Sequence, residues 1–152
     1  MDFKLSKQNA LNKKDKSHEQ KWDEKIKPLC DKINNSDNYF TTSSCSGRIT
    51  IVKTSNDKIR DAFLFKSHDK VTPEQVQEAI PRDSDIQLYF RMEPCALHIA
   101  CKNFEDAQNL LDKARSIGWK KSGIISGKEG RFIVEMFSTE MIAAPLPKNP
   151  CD

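Results

Sequence analysis

The chain has no long apolar run, no closely spaced cysteine pair and neither of the common glycine-rich phosphate loops. No stretch approaches the roughly twenty apolar residues that a membrane-spanning helix needs. Met1 to Lys16 is too polar for a secretory signal, so the expected setting is cytosolic or nuclear, with the cytoplasm as the default. Cys30, Cys45, Cys95, Cys101 and Cys151 are an odd number of cysteines without a CxxC spacing. Reduced thiols are therefore expected rather than a disulfide framework, and no structural zinc or other metal site is expected. The absence of GxGxxG and GxxxxGK[ST] removes the familiar sequence signatures of dinucleotide and P-loop sites.

What is present suits a domain-sized globular body. The 152 residues are 37% hydrophobic and 31% charged, with a net charge of +3, a balance that permits nucleic-acid binding without demanding it. Residues 1–21 are lysine-rich with almost no apolar side chains, so they read as a mobile arm or a mostly exposed helix. Such an arm either raises RNA affinity through counterion release or is merely solvated. Residues 22–146 form the expected single domain, and residues 147–152 a tail within the proline-bearing extended end that starts at Ala143.

Periodicity predicts the elements of that body. Trp22, Ile26, Leu29 and Ile33 make one helical stripe, with Pro28 implying a kink or two short helices. Asn34 to Asn38 reads as a turn. Tyr39 to Thr42 and Gly47 to Thr54 read as strands, Ser55-Asn56-Asp57 as a turn, and Ala62 to Phe65 as a strand ending at Lys66-Ser67-His68. Thr72-Pro73-Glu74-Gln75 is a capping box opening a helix that turns Val76, Ala79 and Ile80 inward and stops at Pro81. Ile86, Leu88, Phe90 and Met92 alternate as a strand, Pro94 interrupts, and Ala96 to Cys101 continues with His98. Asn103 and Asp106 open a helix with Ala107, Leu110, Leu111, Ala114 and Ile117 on its apolar face and Gly118 as its cap. Trp119 to Ser126 and Arg131 to Ser138 then form two strands around a turn at Gly127 to Gly130. The fold class is α+β, a mixed sheet with flanking helices.

Thr41 to Arg48, TTSSCSGR, is the stretch with most chemical promise. Its hydroxyls and backbone N–H groups can ring an anionic or zwitterionic ligand, with Gly47 admitting a close approach and Arg48 supplying a planar fork. The competing reading is a polar turn in which Ser and Thr satisfy local backbone groups. An internal comparison bears on it. Tyr39 and Tyr89, Phe40 and Phe90, Cys45 and Cys95, and Ile49 and Ile99 stand at one common offset. Either the matches are coincidence or two related half-domains build one sheet, with Arg48 and His98 in equivalent places.

These segments resemble the tRNA wybutosine-synthesising protein 3 family, methyltransferases of the wyosine-base pathway. The likeness is carried by TTSSCSGRI (Thr41 to Ile49), SH (Ser67-His68), FRMEPCALHI (Phe90 to Ile99), AQNLLDKARSIGWKKSGI (Ala107 to Ile124) and STEMIAAPL (Ser138 to Leu146). It implies an enzyme that uses S-adenosylmethionine to methylate N4 of the tricyclic base at position 37 of phenylalanine tRNA, on a fold other than the Rossmann methyltransferase. Two positions depart from the expected pattern: Phe63 stands where Trp is expected and Phe137 where Arg is expected, and the second change removes a possible phosphate or cofactor contact.

The resemblance implies roles as well. Arg48 is the natural partner of the cofactor carboxylate, with Thr42, Ser43, Ser44 and Gly47 around the remaining polar groups or the adjacent base. His68 orients the base or removes the proton left on the acceptor nitrogen, unless it is a plain loop residue. His98 is a weaker substrate-side candidate with a core or wall role as its alternative. Tyr39, Phe63 and Tyr89 can stack on an exposed base or belong to the core. Two other classes remain open: a non-catalytic RNA-binding module, and a cysteine hydrolase built on Cys45 and His68.

Overall fold

The hydroxyl run is a strand, not a turn. In the computed structural model, which describes residues 2–12, 23–53, 63–81, 86–128 and 130–147, Tyr39–Cys45 is the first of eight described strands. In chain order the elements are α1 (Phe3–Leu11), α2 (Lys27–Asn34), β1 (Tyr39–Cys45), β2 (Arg48–Lys53), β3 (Phe63–Ser67), α3 (Pro73–Glu78), β4 (Leu88–Glu93), β5 (Ala96–Cys101), α4 (Phe104–Ser116), β6 (Gly123–Lys128), β7 (Arg131–Phe137) and β8 (Ile142–Pro145). Trp22, the Ser55 to Asp57 turn, Ala62, Cys151, arm residues 13–21 and tail residues 148–152 lie outside the described residues.

The chain divides into two compact units, residues 1–46 with 95–139 and residues 47–94 with 140–152. Each holds a four-stranded sheet, in the orders β1-β5-β7-β6 and β3-β2-β4-β8. The α+β class and the non-Rossmann layout stand as expected. The single mixed sheet does not: there are two sheets, and every strand pair described is antiparallel. Nor do the two similar stretches build one half-domain each. β1 and β2 come from the first stretch and β4 and β5 from the second, yet β1 pairs with β5 and β2 with β4. Each sheet thus takes one strand from each stretch. The exchange falls at two short breaks, Ser46-Gly47 and Pro94-Cys95. Gly47 has φ 99°, a conformation that favours glycine, and Pro94 has no N–H to extend a ladder.

In the first unit successive residues of β5 alternate between two clusters, as the pleat requires. Leu97, Ile99 and Cys101 join Val134 and Met136 of β7, Ala107, Leu111 and Ala114 of α4, and Ile26 and Cys30. Ala100 points the other way, with Phe40 and Phe3. The Phe3 and Phe40 ring centroids are 5.2 Å apart, so the otherwise mostly exposed α1 is held by one buried aromatic anchor. Burying such a side chain contributes about 1.5–3 kcal/mol. That anchor is what composition concealed in a segment rich in lysine.

Pro28 sits in the first turn of α2, where its missing N–H is harmless, so it starts the helix and does not kink it. The inward face is Ile26, Cys30 and Ile33, while Leu29 is 43% exposed. Asn103 caps α4 by accepting from the Asp106 N–H at 2.8 Å, and Gly118 closes it with φ 97°. Ile117 has left helical geometry at the cap and is exposed, not part of the apolar face. β6 starts at Gly123, later than Trp119, because the chain first turns through Ser122 N–H to Trp119 O at 3.1 Å.

In the second unit Ile51 and Leu88 pack with Ile80, and Leu64, Phe65, Val76, Ala79 and Leu146 close around them. The Thr72 and Gln75 capping box forms as expected, with Thr72 N–H to Gln75 Oε1 at 2.9 Å. Ile142–Pro145 corrects the expectation of an extended tail from Ala143: it is β8, paired with Tyr89 to Met92. Proline is tolerated there because β8 is an edge strand. Among the described residues no helix is long and apolar enough to cross a membrane, and no disulfide is formed.

Burial, with the Asp106 carboxylate adding to it, pushes the Cys101 thiol up to about 12, and burial also raises Cys30. Thiolate is the reactive form, so neither residue should be alkylated by iodoacetamide near pH 8 while the fold is intact, and both should react in urea. Peptide mass spectrometry showing ready labelling of the native protein at Cys30 or Cys101 would contradict this packing.

Candidate active site

The second unit gathers four of the residues singled out in the sequence. His68 follows β3, and its Nδ1 lies 2.9 Å from the Gly47 carbonyl oxygen. A carbonyl only accepts, so Nδ1 carries a proton. Arg48 opens β2 directly opposite Glu93 on β4. Its Nε donates to Glu93 Oε2 at 2.5 Å, and its guanidinium carbon stands 5.2 Å from the centroid of the Phe63 ring. The guanidinium is therefore fixed by a carboxylate and an aromatic face, and its other N–H groups make no hydrogen bond among the described residues.

That arrangement explains why Phe63 serves where a tryptophan is expected: the contact uses a ring face, which phenylalanine supplies. Thr50 lies two residues beyond Arg48 on the same face of β2. It is fully buried, and its Oγ1 has no hydrogen-bond partner among the described residues. Tyr89 is on this face too, opposite Val52, but four residues along β4 from Glu93. Among the described residues the ring over which the Arg48 guanidinium stands is Phe63, also a register partner of Val52, and not Tyr89.

The first unit holds the hydroxyls and the second histidine. The β1–β5 register shifts between Thr41 and Ser43, which displaces Thr42 from the ladder, and its Oγ1 donates to the His98 carbonyl at 3.2 Å. Ser43 is the register partner of His98. His98 Nε2 donates to Glu135 Oε1 at 2.7 Å across β5 and β7, both side chains being about one-third exposed. Thr41 is committed to Asn34, whose Oδ1 accepts from the Thr41 N–H at 2.8 Å, and Ser44 acts on the buried Cys30 thiol, opposing the larger upward effect of burial. Tyr39 packs on the core and its hydroxyl donates to the Asp106 carbonyl at 3.2 Å. At the second departure, Phe137 N–H donates to Ser122 Oγ at 3.3 Å, and the next residue, Ser138, accepts from the Cys95 N–H at 3.1 Å.

Sequence reasoning overlooked the two carboxylates, Glu93 and Glu135, and the buried Thr50. A signal for Glu93 was available. The offset that equates Arg48 with His98 also equates Ser43 with Glu93. The cross-strand pairs Arg48 with Glu93 and His98 with Ser43 are thus one position used twice.

The two four-stranded sheets, antiparallel throughout among the described residues, define an α+β chain of a non-Rossmann class. Its membership is specific: residues 4–150 match the family model described as Methyltransferase TYW3, and the chain belongs to that family. It is 41% identical over 133 residues to a Thermococcus kodakarensis protein named tRNA(Phe) 7-((3-amino-3-carboxypropyl)-4-demethylwyosine(37)-N(4))-methyltransferase 1, covering 86% of this chain and 67% of that one. It is 38% identical over 149 residues to a Danio rerio protein named tRNA wybutosine-synthesizing protein 3 homolog, covering 95% of this chain and 59% of that one. The chain therefore spans about two thirds or less of the length of these relatives. Among solved structures it resembles the PH1069 protein of Pyrococcus horikoshii, with a TM-score of 0.84 at 38% identity, covering 98% of this chain and 78% of that one. A hypothetical protein from Aeropyrum pernix is similar at a TM-score of 0.70 and 29% identity, covering 80% and 72%.

The Arg48 and Glu93 side chains are part-exposed, so their pairing should add little to stability. Arg48→Ala is expected to shift the unfolding free energy by less than about 1 kcal/mol in urea titrations. A loss above about 3 kcal/mol would mean that the pair is structural rather than a prepared binding group.

Proposed function

We propose that this chain uses S-adenosylmethionine to methylate N4 of the tricyclic wybutosine precursor base at position 37 of phenylalanine tRNA, a cytoplasmic tRNA-modifying reaction. The observation that carries the reading is the 41% identity over 133 residues to a protein named for that reaction. We assign the reaction to residues 22–146, with residues 1–21 as an accessory arm and 147–152 as a tail.

The residues present fit such a cofactor in one specific respect. Its amino-acid end carries a carboxylate, and Arg48 offers a guanidinium already oriented by Glu93 and Phe63 with donors to spare. The unpartnered Thr50 hydroxyl on the same face is a buried polar group that a ligand atom would satisfy. When bound, the cofactor supplies a methyl group activated by its sulfonium. The chain's own work is positioning, water exclusion and proton acceptance. Arg48 and Gly47 hold the carboxylate end, and the half-exposed Phe63 ring offers a stacking face for a base.

His68 keeps its proton on Nδ1 through Gly47 and presents Nε2 to take the proton that leaves the acceptor nitrogen. Thr42, Ser43 and Ser44 are assigned polar contacts to cofactor or base, and Tyr89 and His98 contacts to the RNA. Glu135 is a positioning residue for His98.

Calorimetry with S-adenosylmethionine tests the cofactor assignment. The wild-type chain should bind, Arg48→Ala should bind at least about tenfold more weakly, and Arg48→Lys should restore only part of the loss because it lacks the planar fork. No binding by the wild type, together with salt-sensitive tRNA binding, would identify an RNA-binding module instead.

His68→Ala should slow methyl transfer by about 10²–10⁴ with cofactor affinity unchanged. A normal rate with a normal pH profile excludes His68 as the proton acceptor.

A further inference from the structure

An open cleft of about 600 Å³ lies in the first unit beside the start of α1, and none of the residues given a contact to cofactor, base or RNA above lines it. Lys4, Lys7 and Lys102 line it, together with Asp2 and Asp37. Lys4 and Lys7 are three residues apart on α1 and so share one face of the helix. That helix is fixed in place by the buried Phe3 ring against Phe40, so the lysines are carried on a docked element. Lys7 is further tethered by donating from Nζ to the Ser36 carbonyl oxygen. Lys102 follows β5, where its backbone N–H donates to Asn38 O at 3.0 Å. Asp2 is occupied as the α1 cap, accepting from the Lys4 N–H at 2.9 Å. Among the described residues no ion pair joins any of the three lysines to Asp2 or Asp37.

Three lysines line the cleft against two aspartates, and no lysine is ion-paired to either, so the lining carries a net positive charge that attracts an anion. The cleft is larger than a single phosphate requires, and lysines are point charges without the fork that selects one small ligand. An open cleft with a positive lining suits consecutive phosphodiesters of an RNA backbone, which are read by charge and spacing rather than by a planar contact. We propose that the cleft of Lys4, Lys7 and Lys102 holds the sugar-phosphate backbone of the tRNA away from the reacting base. The proposal rests on the tRNA reading above. It assigns α1 a role in RNA affinity and none in chemistry.

The test measures tRNA binding by fluorescence anisotropy across a salt series, beside S-adenosylmethionine calorimetry and steady-state methylation. The triple variant Lys4→Ala, Lys7→Ala, Lys102→Ala should lower the magnitude of the log K against log salt slope by about 2–3, since each phosphate contact contributes about 0.9. It should raise KM for tRNA while leaving kcat and cofactor affinity unchanged. The exposed single variant Lys102→Glu guards against loss of α1 docking and should weaken tRNA binding in the same direction. Asp37→Asn removes a repelling carboxylate and should tighten binding about two- to fivefold.

Inorganic phosphate at matched ionic strength should compete no better than chloride; competition at low concentration would show a free-phosphate site and overturn the backbone assignment. An unchanged slope and affinity in the triple and Lys102→Glu variants would also overturn it. If the wild type binds S-adenosylmethionine but no tRNA at any salt concentration, the substrate reading itself fails, and with it this inference.

Discussion

Arg48 can act as a prepared cation only because β2 meets β4 in the register that places it opposite Glu93. A slip of one residue would turn Arg48 to the opposite face of the sheet and carry Ile51 out of its core. The same register is therefore held from both sides, by Ile51, Leu88 and Ile80 on one face and by the Arg48 to Glu93 contact on the other. Gly47 follows from it: the chain must enter β2 at once after leaving β1, and a left-handed residue makes that entry while its carbonyl receives His68. One constraint thus sets the orientation of the cation and the tautomer of the imidazole.

The first unit repeats the device with different chemistry. β1 meets β5 so that Ser43 faces His98, and Glu135 on β7 accepts from the imidazole N–H. In both units a carboxylate on a neighbouring strand fixes a nitrogen base. Neither pair is buried deeply enough to contribute much to folding, because exposed charges are screened and their side chains lose entropy on pairing. Their value lies in orientation: a guanidinium or imidazole held before a ligand arrives does not have to be ordered on binding.

The local elements were legible in the sequence where they carried their own signal. Thr72, Pro73 and Gln75 announced α3, Asn103 and Gly118 bounded α4, and the alternation of Leu88, Phe90 and Met92 announced β4. The four hydroxyls from Thr41 to Ser44 suggested a turn because serine and threonine favour local backbone bonds, and pairing with β5 overrode that preference. The prolines near the end suggested a tail, but an edge position lets Pro145 remain in β8. Strand exchange between the two sheets left no composition signal, since it is decided by which distant strand completes each ladder. For the same reason Gly47, Arg48, Phe63 and His68 were nameable in advance, whereas Glu93 was marked only by the internal offset and Glu135 by nothing. Each of those carboxylates has meaning only through its cross-strand neighbour.

The central claim, that this framework serves methyl transfer to a tRNA base, is tested most directly by supplying the purified protein with isotopically labelled S-adenosylmethionine and phenylalanine tRNA carrying the 4-demethylated tricyclic base. One labelled methyl group should appear on N4 of the position-37 nucleoside when the digested tRNA is analysed by mass spectrometry. Recovery of that nucleoside unmethylated, from protein shown to be folded and to bind both ligands, would contradict it.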